Sequence, residues 1–163
     1  MDNIGQHFDR QIFYLNPRQA KNWADSLPTD NWAVLLIADN LDSDLINKIA
    51  NQCLDKNVRY VCATGQQSKA IEETFDQFIV QRKIDSGESA DSPDNFEDSP
   101  LTVSDDSLEE EFWFSLTTAF HPNFDITKVI CLDLTDSGQK EKLTDLVTKI
   151  NSGWLPSDNE SLA

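Results

Sequence analysis

Three short, almost uninterrupted apolar runs constrain this chain most, because each ends at a polar or acidic turn that opens a helix-period segment. They are Trp32-Ala33-Val34-Leu35-Leu36-Ile37-Ala38 before Asp39, Arg59-Tyr60-Val61-Cys62-Ala63 before Thr64-Gly65, and Val129-Ile130-Cys131-Leu132 before Asp133. A run without polar alternation reads as a strand covered on both faces, and strands alternating with helices read as a parallel sheet. The pattern predicts a three-layer α/β/α domain, Rossmann-like or flavodoxin-like, with a mainly parallel sheet of about five strands. Ligands of such sheets bind beyond the carboxyl ends of the strands, so Asp39, Thr64, Gly65 and Asp133 mark the edge where a site would form.

The remaining elements follow from periodicity and capping. Residues 11–15 read as a first strand. Asn16, Pro17 and Gln19 then have the spacing of a helix start, predicting a helix through Trp23 that ends before Pro28. Asp42 or Ser43 caps a helix that carries Leu45, Ile46, Ile49, Ala50, Cys53 and Leu54 on one face. Thr64 and Gln67 have capping-box spacing ahead of a helix with Ile71, Phe75, Phe78 and Ile79 inward, fading near Lys83. Residues 101–103 read as a short strand near a sheet edge. Asp105, Asp106 and Ser107 then cap a helix whose stripe is Leu108, Phe112, Trp113, Leu116, Ala119 and Phe120. His121 and Pro122 stop it, with His121 placed to meet the free carbonyls of the helix end. Residues 128–134 form the last strand, and the segment from Asp136 to Gln139 opens a final helix with Leu143, Leu146, Val147 and Ile150 inward.

Residues 85–100 are rich in Asp and Glu, contain no Lys or Arg, and cannot bury enough apolar surface to offset their ordering entropy. They read as a flexible acidic insertion within a single domain spanning 1–156, followed by a polar tail at 157–163. The net charge of −16 persists as a strong acidic bias outside that insertion. Such a surface repels phosphate backbones and anionic membranes, so neither direct nucleic-acid binding nor membrane binding is expected. It suits a basic protein partner. Three cysteines without metal-ligand spacing read as buried apolar residues in a reducing compartment. The first six residues lack the basic and apolar regions of a signal peptide, and no apolar run spans a bilayer, so the expected location is cytoplasmic.

The residues Tyr60-Val61-Cys62-Ala63 with Gly65, the pair Phe75-Asp76, and Leu108-Glu109-Glu110-Glu111-Phe112-Trp113-Phe114 resemble those of a small bacterial α/β family of uncharacterised function. The resemblance covers roughly residues 32–135. It implies a fold and no reaction.

Several residue sets have chemistry to weigh. Asp39, Asp105, Asp106 and Asp133 are hard oxygen donors that would hold Mg²⁺ if the strand ends converged. Asp at such a junction is also a helix cap. Thr64, Gly65, Gln66 and Ser68 would cradle the anionic part of a cofactor at a helix N-terminus, although they match neither a dinucleotide fingerprint nor a P-loop. His7 and His121 give no acid–base pair, and no catalytic residue is assigned. Phe114, off the apolar stripe of its helix, and Trp154, beyond the last helix, are candidate anchors for a protein partner. The leading expectation is a non-catalytic acidic interaction module, an accessory or inhibitory subunit for a more basic partner. The alternatives are a Rossmann-like enzyme or nucleotide-binding protein using the Asp39, Thr64-Gly65 and Asp133 edge, and a mimic of nucleic-acid charge.

Overall fold

In a computed structural model describing residues 1–87 and 97–156, apolar runs and helix-period segments alternate as a mixed α/β fold. The order is β1 (Asp2–His7), β2 (Arg10–Leu15), a single 3-10 turn (Trp23–Ser26), β3 (Trp32–Ile37), α1 (Ser43–Asp55), β4 (Tyr60–Thr64), α2 (Ser68–Asp85), β5 (Leu101–Asp105), α3 (Leu108–Thr117), β6 (Lys128–Asp133) and α4 (Lys140–Asn151). The strands form one sheet in the order β1-β2-β6-β3-β4-β5, parallel except for β1.

The three apolar runs occupy adjacent central positions, because only strands paired on both sides and covered on both faces need no polar alternation. Every residue of β3 is buried. Trp32, Val34 and Leu36 pack with Ile46, Ile49 and Ala50 of α1 and with Ile71 and Phe75 of α2. The alternate residues Ala33, Leu35 and Ile37 pack with Phe112 and Leu116 of α3 and with Leu143 and Val147 of α4. Alternation along β3 therefore separates the residues that pack with α1 and α2 from those that pack with α3 and α4.

The structure corrects several sequence expectations. The sheet has six strands rather than about five: β1 is polar and largely exposed, so nothing in its composition marks it. It pairs with β2 through the tight Phe8-Asp9 turn, where Phe8 takes φ 51°. The helix expected after Asn16 is replaced by one 3-10 turn, because Asn16 closes local turns to Arg18 and Gln19 instead of capping a helix. Trp23 and Leu27 are nevertheless buried, as an inward-facing segment requires. α3 ends at Thr117, so Phe120 leaves the stripe and is 68% exposed while Ala119 remains buried.

The expected acidic insertion lies partly outside the described residues, at 88–96; the expected tail at 157–163 lies wholly outside them. The carboxyl end of the insertion is anchored. The Nδ1 atom of His121 accepts from Asn123 N–H at 3.1 Å, which leaves Nε2–H to donate to Ser99 O at 2.9 Å. Asn123 also donates to Glu97 O. His121 thus ties down Ser99 instead of meeting the end of α3, while Asn123 holds Glu97 and Asp98.

Candidate functional site

α3 is held at both ends by groups that its sequence and a distant strand supply. Ser107 is the N-cap, its hydroxyl accepting from Glu110 N–H at 3.3 Å, and Asp105 Oδ1 accepts from Ser107 N–H at 2.7 Å. At the other end the Arg10 guanidinium donates to Ser115 O at 2.7 Å and to Ala119 O, satisfying carbonyls that a helix end leaves free. So clamped, α3 lies beside the edge strand β5. A groove of about 400 Å³ runs between them, lined by Val103, Ser104 and Asp105 of β5, by Glu110, Glu111, Trp113 and Phe114 of α3, and by Leu155 and Pro156.

Glu111 is the unusual member of this set. The residue is only 4% exposed, and its Oε1 has no hydrogen-bond partner. Burial is the main cause that pushes its carboxyl up to about 7 from an ordinary value of 4.5; the charges of Asp105, Glu72 and Glu110 act in the same direction. The Cys62 thiol beneath it opposes the shift by hydrogen bonding to the carboxylate. The thiol is itself raised, first by burial and then by the Glu111 charge. Thr64 Oγ1, at the end of the neighbouring strand, is likewise buried without a partner. A buried carboxylate with one oxygen unpaired is costly, and a cation entering the groove would relieve it.

Phe114 sits in this groove, half-buried, its ring tilted against Tyr60 with centroids 5.8 Å apart. Trp154 is also half-buried but lines a second depression with Glu109, Lys142 and Asp145. The two aromatics therefore belong to different surfaces.

The strand-end residues play other parts. Asp133 is fully buried and accepts from Tyr14 Oη, Thr135 N–H, Thr135 Oγ1 and Gln139 N–H. Asp39 is exposed beyond β3, and the cap of α1 is Asp42, whose side chain accepts from Leu45 N–H. Asp106 accepts from Ser68 Oγ at 3.3 Å. Among the described residues no group of three or more His, Cys, Asp or Glu side chains is arranged to share a metal ion. Asp39, Asp105 and Asp133 are thus not brought together.

Thr64 belongs to β4 and does not cap α2, whose N-cap is Gln67 without a side-chain bond. Gly65 takes φ +107°, and a Cβ there would stand 2.1 Å from Ala38 O, so the turn is closed against the end of β3. Gln66 is exposed on that turn, and Ser68 is buried against Asp106. At the same edge Leu134 N–H donates to Ile37 O and Ala38 N–H to Thr64 O. Arg18 lies across it, donating to Leu134 O and pairing with Asp136. The crevice between β3 and β6 is stitched by the chain's own bonds, and the groove forms farther along, beyond β4.

A family model describing a domain of unknown function, DUF7684, matches residues 10–150. The chain belongs to this family. The match spans every element from β2 to α4 and therefore includes the strand and helix that line the groove. No curated protein and no solved structure matches the chain.

Sequence reasoning missed Glu111, since only the apolar residues of α3 were read as its inward stripe. The signal was its spacing. Glu111 stands three residues after Leu108 and four before Ser115, on the stripe that α3 turns toward the sheet.

Proposed function

We propose that this domain is a non-catalytic, acidic interaction module, an accessory or inhibitory subunit that receives a basic segment of a partner protein in the groove between β5 and α3. One observation carries the reading: Glu111, which lines a groove whose other charged members are Asp105 and Glu110, keeps a buried carboxylate oxygen without a partner. Aromatic walls from Trp113 and Phe114 suit the aliphatic stem and the charge of a Lys or Arg side chain. The net charge of −16 would steer a basic partner toward it. In this reading the two-sided packing is a three-layer, Rossmann-like scaffold, and three free buried thiols suit a reducing cytoplasm.

A second reading, proton-transfer catalysis, is favoured by a Glu111 carboxyl near 7. It is the weaker one, because among the described residues no Lys, Arg or His lines the groove to stabilise developing negative charge. Affinity capture with the tagged wild-type chain and with Phe114→Ala and Glu111→Gln tests the proposal. A basic chain retained by the wild type, released by salt and lost by both folded variants supports it. Identical capture by all three proteins removes the groove from the interaction.

A further inference from the structure

We infer that the partner's segment enters as an added strand: an extended, cation-bearing peptide pairs with the outer edge of β5 and directs a Lys or Arg side chain to Glu111. The inference rests on the docking reading above and specifies its geometry.

Among the described residues β5 is the last strand of the sheet and pairs only with β4. Leu101 N–H donates to Arg59 O at 3.2 Å, so alternation turns the backbone groups of Leu101, Val103 and Asp105 toward β4 and those of Thr102 and Ser104 outward. Among the described residues no backbone bond uses the Thr102 or Ser104 groups. Ser104 sends its hydroxyl to Glu72 on α2, on the opposite side of the sheet, yet it lines the groove, so what it presents there is main chain. The β4–β5 register runs without a shift, whereas β1, at the other edge, carries an irregularity between Asn3 and Gly5 that breaks a continuous edge.

A regular outer edge beside a helix-walled groove is the arrangement in which main-chain pairing supplies affinity and alternate side chains supply specificity. Alternate residues of the added strand would point to the α3 side of the sheet. There they meet Asp105, Phe114 and Glu111, whose buried Oε1 has no partner, a set that selects a cation on an apolar stem.

The test begins with the full chain and a displayed library of random short linear peptides. Selected peptides should carry Lys or Arg among alternating apolar residues; selection of acidic or uncharged sequences overturns the inference. Synthetic copies of one selected peptide, N-methylated at successive amides, should lose binding at every second position, by about tenfold or more, as strand pairing requires. On the protein side, Ser104→Pro removes an outward N–H without touching the β4 ladder, and Ser104→Ala serves as its side-chain control. Weakening by proline alone, in protein with an unchanged thermal midpoint, supports strand addition. The peptide series decides the matter should the proline variant fail to fold. Loss of binding in Phe114→Ala and Glu111→Gln with no alternation in the methylated series would sink the added strand and leave groove docking standing. Binding indifferent to all of these changes would remove both.

Discussion

Tyr14 Oη donates to Asp133 Oδ2 across the β2–β6 pair and draws the carboxylate at the end of β6 into the protein. With Thr135 and Gln139 also donating to it, Asp133 is a saturated acceptor that shapes the connection to α4. Asp133→Ala would leave the Tyr14 hydroxyl and two backbone N–H groups unpaired, and should cost about 3 kcal/mol or more. Tyr14→Phe should cost about 1 kcal/mol, and Asp39→Ala, on an exposed bend, less than about 0.5 kcal/mol. Urea unfolding of the three variants checks the ranking. Equal losses at Asp39 and Asp133 would contradict it, as would a saturable rise of the wild-type melting temperature in Mg²⁺.

Gly65 offers a sharper steric test. Its Cβ would approach Ala38 O to 2.1 Å, and its φ of +107° is one that side-chain-bearing residues rarely adopt. Gly65→Ala must therefore pull the β4–α2 turn away from β3, and about 3 kcal/mol or more of stability should go with it. Gly138, at φ +72°, faces open space, with nothing within 4 Å of where a methyl group would stand. Gly138→Ala should therefore cost only about 1 kcal/mol in backbone strain. Comparable losses at both sites would show that the Ala38 contact yields easily.

The sequence revealed those parts of the fold in which periodicity and burial coincide. β3, β4 and β6 were legible because a strand covered on both faces is apolar throughout, and α1 and α4 because each buries one stripe. β1 was not legible, since an edge strand of Asp, Asn, Gly and Gln has no alternation to read. The strand-end aspartates were visible as chemistry, but only the tertiary arrangement shows Asp133 turned inward by Tyr14 and Asp39 left in solvent. Phe114 was singled out from its place off the stripe, and it lines the groove. Glu111 was not, because a glutamate on the buried stripe contradicts the hydrophobic pattern by which that stripe is recognised.

Glu111 should make stability depend on pH. Its folded value of about 7 exceeds the ordinary 4.5, so between those values the folded chain binds the proton that the unfolded chain releases. Its contribution is fully present below about 4.5 and is lost as pH rises through about 7. The groups that act on it are Asp105 on β5, Glu72 on α2, Glu110 on α3 and Cys62 on β4; Arg10 acts on Cys62. Glu111→Gln removes the charge and keeps the shape, so it should stabilise the chain at pH 8 and have little effect at pH 5. Urea midpoints of wild type and variant at the two pH values measure this, and a constant difference between them would show that Glu111 does not titrate in that interval.

Phe114 and Trp154, both expected as partner anchors, now separate into different surfaces. Phe112 is wholly buried beneath α3, and Phe112→Ala should cost about 3–5 kcal/mol by leaving a cavity. Phe114 is half-buried, with Tyr60 on one side and the groove on the other, so Phe114→Ala should cost less, about 1–2 kcal/mol. Its loss should nevertheless weaken association with a basic partner by about 2 kcal/mol or more, because a central aromatic anchor is removed. Trp154→Ala opens the depression beside Glu109 and Lys142 and should leave groove binding within about 0.5 kcal/mol of wild type. Raising ionic strength above about 0.1 M should weaken binding of the wild type, since steering by an acidic surface is screened beyond about 10 Å there. Urea unfolding and partner binding measured on the same samples separate the effects. A binding defect in Phe114→Ala that merely follows its unfolded fraction would return Phe114 to the core, and a larger binding loss in Trp154→Ala would move the interface from the β5–α3 groove to the end of α4.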